Sequence, residues 1–124
     1  MIKGIGTDLC EVRRMADLLQ DSSFLERYFT PLEQAYIRSR GKFAADSMAG
    51  HFAAKEALVK ALGTGIDGVC LQDIVIDHDE QGAPFYSLKG SAKELANMKG
   101  ATSLHLSITH DGGLAMAFAV LEGD

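Results

Sequence analysis

Residues 51–68, HFAAKEALVKALGTGIDG, constrain the fold most. Alanine, leucine, lysine and glutamate are all strong helix formers. The run then stops at Gly63-Thr64-Gly65, and glycine is the usual residue past a helix's last turn. The reading predicts one long helix from about Phe43 to Leu62, ended by Gly63. Ala53, Ala54, Ala57 and Ala61 leave it low on several sides, so its neighbours approach closely. Glu56 and Lys60 are four residues apart and share a face. An ordinary ion pair at that spacing contributes about 0.2–0.5 kcal/mol. A carboxylate on so closely approached a helix is instead partly buried and wants a partner.

The rest of the chain supplies what the helix packs against. MIKGIGTDL reads as a strand, and Gly4 and Gly6 leave one side of it bare. Glycine inside a strand marks a place where something approaches the backbone. Val12, Met15, Leu18 and Leu19 have helical spacing, and SSFLERYFT makes a short helix or turn. Thr30 is placed to cap the next helix, with Pro31 at its first position and Glu33 three residues after the cap. Beyond Gly68 the pattern changes. Leu71 to Ile76 and PFYSLKG read as two strands around a loop, and Gly90 to Met98 as a helix. SLHLSITH alternates, with Leu104, Leu106 and Ile108 on one side, and returns through DGG into LAMAFAVLE. The expected class is α+β: a mostly antiparallel sheet packed against an early helical cluster with one long helix, in one domain over residues 1–124.

Composition narrows the function. At 47% hydrophobic residues the chain can build a core without disulfides or metal staples. The net charge of −5 argues against nucleic acid as a partner. Basic residues crowd the first half, so an acidic macromolecule would dock there. No apolar run approaches the roughly 20 residues that span a membrane. The N-terminus lacks a signal-peptide layout, and the expected location is cytoplasmic. Cys10 and Cys70, far apart and outside any CxxC pattern, read as small buried hydrophobes.

Several motifs compete. Residues 63–68 match GxGxxG, but a helix precedes them where the dinucleotide fingerprint needs a strand. DHDEQG lacks the calcium-loop pattern and reads as a hairpin loop. Asp8, at the end of the glycine-bearing strand, reads either as a turn former or as a metal ligand; Mg²⁺ asks for only one or two protein carboxylates. His110 reads as a hairpin corner or as a phosphate donor or proton-transfer group, while His51, His78 and His105 have weaker claims.

Three segments together, GIGTDLCEVRR (4–14), FAAKEALVKALGTG (52–65) and LSITHDGGLAMAFAV (106–120), resemble the short bacterial holo-acyl-carrier-protein synthases of the 4′-phosphopantetheinyl transferase superfamily. The resemblance runs through nearly the whole chain, FLERYFTPLE and LQDIVI included. It implies transfer of 4′-phosphopantetheine from coenzyme A to a serine of apo-acyl carrier protein. Asp8 and Glu56 match the family's metal carboxylates, for Mg²⁺ or alternatively Mn²⁺, and Lys60 its phosphate-facing lysine. Phe52, Gly63, Ser107, Thr109 and His110 fall in segments that line the coenzyme site, with Lys42 near the adenosine phosphates. Arg14, with Arg13 and Arg27, would meet the acidic carrier protein. The family's short type is a homotrimer with sites between subunits. Two departures are His51, where arginine is common, and QDSS before FLER, where the family is often basic. The rival expectation is a non-catalytic trimeric coenzyme A or nucleotide binder.

Overall fold

A computed structural model describes residues 1–124, the side chain of Ile66 excepted. Strand β1 (Ile2–Glu11) runs directly into α1 (Val12–Leu18), followed by α2 (Ser22–Tyr28) and α3 (Pro31–Ser39). A 3₁₀ turn, Gly41–Phe43, leads into the long helix α4 (Ala44–Leu62). Then come the hairpin β2 (Ile74–His78) and β3 (Pro84–Leu88), α5 (Gly90–Met98), and the hairpin β4 (Ser103–Asp111) and β5 (Leu114–Glu122). The α+β expectation holds: one sheet has the order β1-β5-β4, the other is β2-β3, and every pairing is antiparallel.

Local chemistry sets the helix ends. Asp21 caps α2 by accepting from the Phe24 amide. Thr30 Oγ1 accepts from the Glu33 amide at 3.2 Å, and Glu33 Oε1 accepts from the Thr30 amide at 2.9 Å, a reciprocal capping box. Gly63 takes a left-handed φ of 76° and its amide donates to the carbonyls of Val59 and Lys60, closing α4 as its sequence implies.

The β1-β5-β4 sheet lays one face on α4. Ala115, Ala117, Ala119 and Leu121 are fully buried there, with Leu104, Leu106 and Ile108 partly so. Strand β1 comes closest of all. A Cβ on Gly6 would collide with the Ala57 carbonyl, and one on Gly4 with the Ala61 carbonyl. Helix and strand therefore touch backbone to backbone, which is what the bare side of MIKGIGTDL is for. The other face of the sheet is uncovered. Ile5 and Leu9 are 59% and 62% exposed on it, beside Leu114, Met116 and Phe118. The two chain ends meet at its margin, where the Met1 amine donates to the Gly123 carbonyl at 2.6 Å and the Gly123 amide returns to Met1 at 2.9 Å.

On the far side of α4, Lys55 is wholly buried and bonded to Glu33 at 2.9 Å. Its ammonium also donates to the carbonyls of Leu71 and Ile74. Burial holds it below the usual lysine range, against the pull of Glu33. This cluster explains one difference from the sequence reading. The strand expected over residues 71–76 is a 3₁₀ turn over Leu71–Asp73, bent toward the ammonium, and the strand proper starts at Ile74. A second difference is Cys70, which is exposed, whereas Cys10 is buried as expected. Burial pushes the Cys10 thiol up to about 11, so it stays protonated.

Candidate active site

The close contact of β1 with α4 determines what lies beyond it. Side chains alternate along a strand, so Asp8, two residues after Gly6, faces the helix side of the sheet. On α4, Glu56 and Lys60 reach toward the same place. Lys60 Nζ donates to Asp8 Oδ1 at 3.2 Å and to the Thr7 carbonyl at 3.0 Å. Asp8 is 19% exposed and the Lys60 tip 56% exposed, so the pair is open to solvent on the lysine side. The Glu56 carboxyl sits above the ordinary carboxylate range. Burial is the main cause and the Asp8 charge the next, against Lys60 and Arg14. The notch thus holds two carboxylates close enough to repel.

That donor set suits a particular kind of ion. Two hard oxygen ligands open to solvent match Mg²⁺ or Mn²⁺, which fill remaining positions with water and phosphate oxygens. No group of three His, Cys, Asp or Glu residues forms a metal cage among the described residues, so a closed zinc-type site does not fit.

The other expected residues are spread more widely. Phe52 is 7% exposed and packs in an aromatic cluster with Phe24, Tyr28 and Phe29, ring centroids 5.8–6.4 Å away. The Arg14 guanidinium lies over the Phe52 ring at 5.6 Å. Arg13 and Arg14 on α1, and Arg27 on α2, are exposed. Gly63 is exposed at the end of α4. Ser107 and Thr109 project from the uncovered sheet face, level with Thr7 and Leu9 and opposite to the Asp8 side. One chain alone does not bring Ser107 and Thr109 to the carboxylates.

His110 and Lys42 belong to a different place, a cavity of about 450 Å³ beside the first half of α4. Tyr36, Phe43, His51, His78, Pro84 and His110 line it. His110 Nε2 lies 2.8 Å from the Asp46 carbonyl, and Gly50 leaves room for its ring. Lys42 stands next to this cavity with its ammonium 5.2 Å over the Phe43 ring. The Tyr36 and His78 rings stack at 3.9 Å. His51 Nδ1 lies 2.6 Å from the Ser47 carbonyl and therefore carries the proton, leaving Nε2 buried with no partner. Burial pulls the His51 pKa down to about 4. Sequence reasoning gave His51 and His78 weak claims and did not single out Tyr36, because these residues meet only once α3, α4 and β2 are assembled. It also missed the Lys55–Glu33 pair, whose members are read locally as a helix charge and a cap.

With the geometry in hand, comparison with known proteins is direct. The family model of the 4′-phosphopantetheinyl transferase superfamily matches residues 4–119, and the chain belongs to that superfamily. It is an enzyme of the phosphopantetheinyl transferase class and groups with the holo-[acyl-carrier-protein] synthases. The chain is 49% identical to the holo-[acyl-carrier-protein] synthase of Trichlorobacter lovleyi, over 98% of each chain. It is 46% identical to that of Treponema denticola, over 99% of this chain and all of the relative. Among solved structures, the Neisseria meningitidis synthase superposes with a TM-score of 0.87 at 35% identity, covering 98% of this chain and 99% of that one. The Helicobacter pylori synthase, solved in complex with coenzyme A, superposes with a TM-score of 0.82 at 34% identity, covering 95% and 99%.

Proposed function

We propose that this chain transfers 4′-phosphopantetheine from coenzyme A to a serine hydroxyl of apo-acyl carrier protein, leaving adenosine 3′,5′-bisphosphate, and that it does so with Mg²⁺ held by Asp8 and Glu56. The observation that carries the reading is the convergence of Asp8, Glu56 and Lys60 from β1 and α4. A bound divalent ion supplies charge withdrawal at the diphosphate. The chain supplies the rest. The serine oxygen attacks phosphorus, the bond to the adenosine bisphosphate breaks, and its electrons pass to the departing phosphate. The Lys60 ammonium, held loosely by Asp8 and exposed at its tip, neutralises that phosphate. Glu56 takes the serine proton through a water. His110 is the second choice of base.

Coenzyme A is long, and α4 offers a long track. The cavity residues Ser47, Gly50 and His51 precede Glu56 and Lys60 on one helix, about 8–20 Å away at 1.5 Å per residue. The adenosine end fits beside Lys42 and His110, with the diphosphate toward Lys60 and Gly63, while Phe52 lines the coenzyme site from the aromatic cluster under Arg14. Ser107 and Thr109 complete the site from a neighbouring subunit of a homotrimer. The uncovered apolar face bearing Ile5, Leu9, Met116 and Phe118 supports that assembly, since such patches on soluble chains are normally covered. The exposed arginines at 13, 14 and 27 receive the acidic carrier protein. The reaction takes place in the cytoplasm, by a single domain spanning residues 1–124; no helix among the described residues is long and apolar enough to cross a membrane.

The test is to mix the protein with Mg²⁺, coenzyme A and apo-carrier protein and weigh the carrier. Gain of one phosphopantetheine mass is the expected result. Binding of coenzyme A with no gain would instead make the protein a binder that has lost its chemistry.

A further inference from the structure

The face of α4 turned away from β1 carries a second arrangement of charge. The Lys55 ammonium has three N–H groups. They go to Glu33 Oε1 at 2.9 Å, the Leu71 carbonyl at 2.8 Å and the Ile74 carbonyl at 2.6 Å. Glu33 is equally occupied. Its Oε1 also accepts the Thr30 amide at 2.9 Å and its Oε2 the Ile76 amide at 2.9 Å. One buried pair thereby ties the first turn of α3, the middle of α4 and the start of β2 into a single knot.

The position of this knot on the helix matters. At 3.6 residues per turn, Lys55 lies about 200° around the axis from Ala57, and Glu56 falls between them, about 100° from each. Ala57 and Ala61 face Gly6 and Gly4. A contact between glycines and alanines sets how near the helix lies. It has few side chains to interlock, so it sets the roll of the helix about its own axis only weakly. The Lys55 knot, on the opposite side, supplies three directional bonds that do fix a roll.

We propose that Lys55 and Glu33 form a positioning pair for the reaction. Their knot sets the angle at which α4 presents Glu56 and Lys60 to Asp8. This rests on the assignment of those three residues to the chemistry. The leverage is large. Side-chain tips stand about 5–6 Å from a helix axis, so a roll of about 10° displaces the Glu56 carboxylate by about 1 Å. A displacement of about 1 Å in a reacting constellation lowers the rate by about 100-fold.

The informative variant is Lys55→Met with Glu33→Gln, because losing only Lys55 would leave a bare carboxylate in the core. Near-ultraviolet circular dichroism gives the folded fraction. Phosphopantetheine transfer is measured per folded molecule, and the Tm shift produced by Mg²⁺ alone is recorded beside it. The expected result is a kcat lower by roughly 10- to 100-fold, with KM for coenzyme A and for carrier protein within about threefold of the parent. The Mg²⁺-induced Tm shift should fall by at least about half, as the two carboxylates lose register. If the double variant does not fold, Glu33→Asp, which keeps both charges and shortens one arm, should show the same split between kcat and KM. Parental kcat per folded molecule together with a parental Mg²⁺ shift would overturn the proposal and leave the knot a packing feature. If the parent protein itself transfers nothing, the proposed function fails, and the Mg²⁺ shift alone still decides whether the knot sets the carboxylates.

Discussion

Asp8 and Glu56 meet only when β1 packs on α4. Part of the upward push on Glu56 comes from the Asp8 charge, behind the larger effect of burial. Asp8→Asn should therefore bring the Glu56 pKa partway back toward the ordinary carboxylate range, without reaching it, in a carboxyl NMR titration. An unchanged Glu56 would mean that the two groups do not interact. Asp8→Ala and Glu56→Ala should each lower kcat by at least about 100-fold while the circular dichroism spectrum stays parental. At this scale the sequence was informative where chemistry and spacing coincide. Glu56 and Lys60 sit on one helical face, and Asp8 follows the glycines that bring its strand in. It was silent on Lys55 and Glu33. A buried pair separated by 22 residues leaves no local periodicity, and both residues also make sense as exposed helix charges.

At the scale of elements, β1 and α4 are held by an absence of side chains. Gly6→Ala forces a methyl group into the Ala57 carbonyl, and neither backbone can move without opening the sheet or the helix. The expected cost is about 3 kcal/mol or more in urea unfolding, at the upper end for overpacking. A loss under about 1 kcal/mol would show that strand and helix slide apart freely. Helix limits were legible because caps are local: Thr30-Pro31 with Glu33, and Gly63, each settle a terminus within a few residues. The start of β2 was not, because residues 71–73 are bent by an ammonium from α4. Ser107 and Thr109 were placed in the right strand by alternation, but alternation alone does not say which face of the sheet will meet the ligand.

At the scale of the whole molecule, acid should act through the histidines. Burial lowers the His51 pKa from the ordinary 6.5 of a free imidazole to about 4 in the folded chain. Between those values the unfolded chain binds a proton that the folded chain refuses, so stability falls as pH drops through that window and levels off below it. From pH 7 to pH 5 the loss from this residue is about 2 kcal/mol, readable in urea unfolding at the two values. His78 is shifted in the same direction and adds to it. His51→Gln should remove most of the slope; an undiminished slope would place the acid sensitivity elsewhere. On the outer surface, Arg14→Glu should raise KM for carrier protein and steepen with falling salt, leaving kcat near parental. If the proposed trimer forms through the uncovered sheet face, Met116→Lys there should convert it to monomers in sedimentation, and a trimer that persists would move the subunit contact to another surface.

Met1 and Gly123 are joined by a reciprocal pair of main-chain bonds at the edge of the sheet. Residues 1 and 123 are thus neighbours, and a short glycine-serine bridge between residues 124 and 1 would add little strain. The same molecule could then be synthesised starting from Gln81, in the exposed turn between β2 and β3. A gene rearranged in that way should still produce a working catalyst, because the point at which synthesis begins leaves no mark on the notch where its carboxylates meet.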